Sequence, residues 1–305
     1  MYSLVDRRRF LCNCGSAVAL AGGVVLTCDS AAAIEPIVRN GSPKFKFSLA
    51  AYSYRDLLTG TPPKLTLGDF IEDCARMNLD GTELTSYYFP TPTTLEYLHE
   101  LRRQCFRLGL DVSGTAVGND FGFPPGRDRD EQIALVKRWI DHAAVLGAPV
   151  IRIFAGNRKG DDSPTRAHRL MVGGIEECCD YAGQHGVHLA LENHGGPTAT
   201  AEGMLTFVRD VKSPWFGVNL DTGNFYGDDP YAELEQIAPY ALNVQVKAVT
   251  SNSVRGTKKA TDFSRLAQML RGVGYRGYIV LEYEEEGDPR TQCPHYMEKI
   301  REAFA

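Results

Sequence analysis

A closed barrel of eight β-strands, each followed by an α-helix, is the fold class that this 305-residue sequence predicts. From Phe45 onward, short apolar runs alternate with amphipathic stretches of helical period, the pattern of βα units and a parallel sheet. Four of those stretches stop at Leu108-Gly109, Leu146-Gly147, His185-Gly186 and Val273-Gly274, each directly before a strand. No strand is followed by the glycine fingerprint of an open dinucleotide-binding sheet, so closure is favoured over double winding.

The first strand is the run Phe45 to Ala51. Thr66 with Asp69 three residues on makes a capping box for a helix with Leu67, Phe70, Ile71, Cys74 and Met77 on one face. The strand Gly81 to Leu84 comes next, then a helix with Leu95, Leu98, Leu101, Cys105 and Leu108 at helical spacing, then the strand Leu110 to Val117. The stripe Ile133, Val136, Ile140, Ala143 and Leu146 precedes the strand Pro149 to Phe154, and Ile175, Cys178 and Ala182 precede Val187 to Glu192. Met204, Phe207, Val208 and Val211 lead to Phe216 to Leu220, and a shorter helix around Leu234 and Ile237 leads to Ala241 to Val249. Phe263, Leu266, Met269 and Leu270 lead to Tyr278 to Leu281, and Tyr296, Ile300 and Phe304 mark the last helix.

Composition narrows the function classes. The formal charge is −5 and no basic run lies beyond the extreme N-terminus, so a small-molecule substrate is expected and nucleic acid is not. No apolar run reaches the ~18 residues of a mature membrane span. Asp6-Arg7-Arg8-Arg9-Phe10-Leu11, the apolar stretch Ala17 to Leu26 and Ala31-Ala32-Ala33 resemble a twin-arginine export signal. The expected organisation is a signal over residues 1–33, a leader over 34–44 and one barrel domain over 45–305, exported to the periplasm or beyond and free of the membrane once the signal is removed. Cys74, Cys105, Cys178, Cys179 and Cys293 then remain, an odd number without framework spacing, which argues for buried thiols over a disulfide scaffold.

In such a barrel the reactive residues lie where strands end. The fifth ends Leu191-Glu192-Asn193-His194, the sixth Leu220-Asp221-Thr222-Gly223-Asn224 and the eighth Leu281-Glu282-Tyr283, while the seventh carries Gln245 and Lys247. Three carboxylates converging on one mouth repel each other unless a cation compensates, and oxygen ligands suit Mn²⁺ or Mg²⁺. His194, Lys247, Asn224, Glu83 and Arg152 are candidate substrate contacts, with Glu83 and Arg152 alternatively an internal ion pair. Tyr52, Tyr87 and Phe121 either wall a sugar ring or pack inside, and Glu284, Glu285 and Glu286 read as a solvated acidic loop.

These strand endings resemble the sugar phosphate isomerase/epimerase family, the xylose-isomerase-like barrels, over nearly all of Phe45 to the C-terminus. The resemblance implies metal ligation by Glu192, Asp221, Gln245 and Glu282 and proton transfer by Glu192 and Glu282. Gln245 stands where the family commonly has His, and Asn224 where many epimerases have a substrate-binding His. The expected activity is epimerisation or isomerisation of an unphosphorylated keto sugar or polyol through an enediolate, for there is no Gly-rich phosphate cradle. Elimination from an oxidised glycoside and a non-catalytic sugar-binding barrel are the alternatives, and a homo-oligomer stays open. Apurinic endonucleases share the barrel but need a His-rich metal cluster and a basic face, which seven scattered histidines in an acidic chain do not supply.

Overall fold

A computed structural model describes residues 34–252 and 257–305; the export signal expected over 1–33 lies outside the described residues. The strands are β1 (Lys44–Ala50), β2 (Gly81–Thr85), β3 (Asp111–Ala116), β4 (Val150–Ile153), β5 (His188–Glu192), β6 (Phe216–Asp221) and β7 (Ala241–Val246), then β8 (Val249–Asn252), β9 (Thr257–Ala260) and β10 (Arg276–Leu281). All but β8 and β9 pair in parallel around a closed barrel, in the order β1-β10-β7-β6-β5-β4-β3-β2. The helices between them are α2 (Leu67–Arg76), α3 (Leu95–Arg107), α4 (Arg127–Leu146), α5 (Pro164–Gln184), α6 (Ala201–Asp210), α7 (Pro230–Ile237), α8 (Phe263–Gly272) and α9 (Pro289–Phe304), with a single turn α1 (Arg55–Leu58) after β1.

Local chemistry explains the boundaries. The Thr66 hydroxyl accepts from the Asp69 N–H at 3.2 Å while the Asp69 carboxylate accepts from the Thr66 N–H at 2.8 Å, a complete capping box for α2. Gly147 ends α4 at φ 79°, a left-handed conformation that costs glycine nothing. The apolar stripes face the strands, and all five cysteines named above are buried and free. Leu95 and Leu108 leave the stripe of α3 and are exposed, because they sit at its first position and just beyond its last.

The seventh strand ends at Val246, short of the Val249 expected for it. Past Val246 the Thr261 hydroxyl donates to the Lys247 carbonyl at 2.7 Å and the Thr261 N–H to the Ala248 carbonyl at 3.1 Å, which draws the chain off the barrel into the antiparallel pair β8 and β9. At the opposite end, the segment that precedes β1 is fastened to the start of β7. Ile37 N–H donates to the Pro239 carbonyl at 3.0 Å, and Arg39 Nη2 donates to the Ala241 carbonyl at 2.6 Å.

Candidate active site

Register sets the height of each strand-end side chain. Glu192 on β5 is level with Asn219 on β6, and Asp221 on β6 with Gln245 on β7. Leu281 pairs with Val246, and the Glu282 N–H donates to the Val246 carbonyl at 2.9 Å, so Glu282 emerges beside Lys247 and above Gln245. Because strand side chains alternate faces, Asn243, Gln245 and Lys247 all point into the barrel between the apolar Val244 and Val246.

Two cations meet the carboxylates at this mouth. Lys247 Nζ contacts Glu282 Oε2, lies 3.0 Å from Glu284 Oε1 and 3.4 Å from Asp221 Oδ2. Arg152, on β4, places Nε 2.9 Å from Glu192 Oε2, while Asn224 Nδ2 donates to Glu192 Oε1 at 2.9 Å. The ion pair of Arg152 is therefore with Glu192 and not with Glu83. Lys247 is held from both sides of its backbone as well, its N–H donating to the Thr222 hydroxyl at 2.9 Å.

Below the mouth lies a buried ring of amides. Gln245 Nε2 donates to Glu83 Oε1 at 2.7 Å, Asn243 Nδ2 donates to Glu83 Oε2 at 3.0 Å and to Asn219 Oδ1 at 2.9 Å, and Asn219 Nδ2 donates to Gln245 Oε1 at 2.6 Å. Each of these four side chains thereby finds a partner, which is the condition for keeping such groups inside. Glu83 belongs to this floor, 1% exposed, below the substrate-facing layer.

Burial pushes the Glu192 carboxyl well above the usual carboxylate range, with Asp221 and Glu282 adding to the push and Arg152 and Lys247 opposing it. Burial alone would raise Glu282 too, but the Lys247 ammonium, Arg152 and His194 hold it below its ordinary value. Burial brings Asp221 up to about 7 against the pull of Lys247, and Glu83 up to about 7 with the Glu282 charge adding. Lys247 would lose its proton to burial, yet Asp221, Glu282, Glu284 and Glu192 keep it charged well above the ordinary lysine value. Two glutamates at one mouth thus favour opposite protonation states, the separation that acid and base roles require.

The rim is more varied. His194 rests its ring on Phe154 with centroids 4.5 Å apart, and partial desolvation, Arg152 and Lys247 lower its pKa. Tyr52 and Tyr87 pack edge to face at 6.3 Å, and Tyr87 Oη accepts from Arg152 Nη2 at 3.4 Å, so both stand over the mouth. Phe121 is fully buried and packs inside, too close to Gly174 for a Cβ there. Glu284, expected in a solvated loop, turns back to Lys247, and Glu285 lies 2.9 Å from Lys258.

The side chains as they stand do not fit the divalent ion expected between Glu192, Asp221, Gln245 and Glu282. Gln245 spends its carbonyl oxygen on Asn219 and its amide on Glu83, and a lysine ammonium stands between Asp221 and Glu282, where a second cation would meet like charge. Among the described residues no group of three or more His, Cys, Asp and Glu side chains is gathered to hold a metal.

Known structures share the architecture. D-psicose 3-epimerase from Clostridium cellulolyticum H10 superposes with a TM-score of 0.69 at 16% identity, over 85% of this chain and 99% of its own. The 3-keto-D-glucoside 4-epimerase of E. coli, in its apo form, gives 0.68 at 16% identity over 85% and 100%. The probable 3-DHS dehydratase AsbF from Bacillus anthracis gives 0.66 at 19% identity over 84% and 98%. At such identities the likeness is one of fold. No curated protein matches by sequence. Residues 71–303 match the family described as xylose isomerase-like TIM barrel, and the chain belongs to that family.

Proposed function

We propose that the protein is a sugar isomerase or epimerase acting on an unphosphorylated keto sugar or polyol, with Glu282 as general base and Glu192 as general acid. The observation that carries this is the opposed protonation of the two glutamates at one mouth, Glu282 ionised beside Lys247 and Glu192 driven toward its acid form. Glu282 removes the proton next to a carbonyl, Glu192 supplies one to the enolate carbon, and Arg152 and Lys247 offset the charge that develops on oxygen. Asn224 orients Glu192 through its 2.9 Å hydrogen bond, while His194, Tyr52 and Tyr87 are placed to contact the ring. We take the chain to act outside the cytoplasm, on the paired arginines and Ala31-Ala32-Ala33 of its N-terminus.

Elimination from a keto glycoside is the second reading. It is favoured by a cavity of about 600 Å³ lined by Tyr87, Phe89, Thr93, Trp139 and His142, into which a second sugar ring would fit beside the mouth.

Deuterium exchange from solvent into a panel of keto sugars and keto glycosides tests both. We expect exchange at one carbon, reduced ~10²–10⁴-fold in Glu282→Gln. Sugar binding without exchange would leave a non-catalytic barrel instead.

A further inference from the structure

We propose that the Lys247 ammonium is the resident cation of this site, standing where the converging carboxylates would otherwise need a divalent ion, so that the enzyme works without a metal. This deepens the isomerase reading and rests on it.

The position of Lys247 is built, not incidental. Its three N–H bonds face three carboxylates, from Glu282, Glu284 and Asp221, on the loop or strand ends around it. Its stem passes over Gly223, where a Cβ would come within 2.6 Å of Lys247 Cγ, so the loop after β6 is shaped to admit it. Thr222 holds its backbone N–H and Thr261 its carbonyl. Only 7% of the side chain is exposed, so it is no solvated rim charge.

The groups that would complete a metal shell are engaged elsewhere. Both ends of the Gln245 amide are closed into the floor ring. Glu192 has Arg152 on one oxygen and Asn224 on the other. Asp221 gives one oxygen to the Gly223 N–H at 2.8 Å and turns the other, which has no hydrogen-bond partner, toward Lys247.

The chemistry closes with these residues alone. Glu282 takes a proton from the carbon beside the carbonyl; the C–H pair becomes the C=C bond, and the carbonyl π pair moves to oxygen. A Lys247 N–H holds that oxyanion, which takes the place of Glu284, the most exposed of the three carboxylates at 40% of its side chain. Glu192 in its acid form returns a proton to carbon as the pair moves back, leaving Glu192 ionised and Glu282 protonated until exchange with water resets them.

Mn²⁺ titration of the purified protein followed by electron paramagnetic resonance, with deuterium exchange into keto sugars before and after dialysis against EDTA, tests this. We expect no Mn²⁺ bound by the native protein and exchange indifferent to EDTA. Lys247→Met should open the carboxylates to one Mn²⁺ per chain and slow metal-free exchange ~10²–10³-fold. Lys247→Arg, which keeps the cation and the fold, should still refuse Mn²⁺. One tightly held Mn²⁺ in the native protein, exchange abolished by EDTA, or a folded Lys247→Met that ignores Mn²⁺ would each overturn the proposal. Absence of exchange under every condition overturns the isomerase reading instead, and the Mn²⁺ titration still decides the role of Lys247.

Discussion

Glu192 and Glu282 differ by their neighbours alone, and pH should expose the difference. A base with a lowered pKa is lost only as pH falls through it, below the ordinary glutamate value of 4.5; an acid with a raised pKa is lost as pH rises through it, above that value. We therefore expect kcat/KM against pH to form a plateau between those limits, and a profile that climbs steadily through neutral pH would contradict the assignment. Glu83 tests the floor: Glu83→Ala leaves donors of Gln245 and Asn243 unpaired and should cost roughly 2–5 kcal/mol, read as a lowered denaturation midpoint. The three strand-end carboxylates were legible in sequence because each closes an apolar run. The partner of Arg152 was not, since 40 residues separate it from Glu192 and only the adjacency of β4 and β5 brings them together. Asn219 and Asn243 carry a fainter signal in the sequence, the alternation of polar with apolar residues as Asn219, Asp221 and Asn243, Gln245, Lys247.

Among the elements, the junction of β6 and β7 carries most of the site. Thr222 links the two strands through its N–H to the Gln245 carbonyl at 3.0 Å and its hydroxyl to the Lys247 N–H. Gly223→Ala should push the lysine stem aside and lower activity at least tenfold while changing the melting temperature little, since the residue lies past the end of β6. Melting with no loss of activity would show that Lys247 has room to spare. Strand and helix order were readable from periodicity, whereas the β8 and β9 pair was not. The alternation of apolar and polar residues in β7 continues past Val246 through Lys247 and Ala248 to Val249, and only the contacts of Thr261 show where the strand stops.

Across the whole molecule, the two ends of the barrel do different work. The segment before β1 packs on one end: Arg39 donates to the Ala241 carbonyl and stacks its guanidinium 5.3 Å from the Tyr275 ring centroid, so Arg39→Ala should lose about 1–3 kcal/mol in urea unfolding without touching kcat. The other end carries the proposed site, and its depth is limited by the Glu83, Asn219, Asn243 and Gln245 ring. Asn243 gives both of its amide hydrogens to that ring and Gln245 and Asn219 one each, so the four side chains are tied to one another across the lumen. On the proposed mechanism, we expect a hydrogen taken from the sugar to leave through the opening that the sugar itself covers. In deuterium oxide the product should carry label while recovered starting sugar stays light, because isotopic washout waits for the sugar to depart.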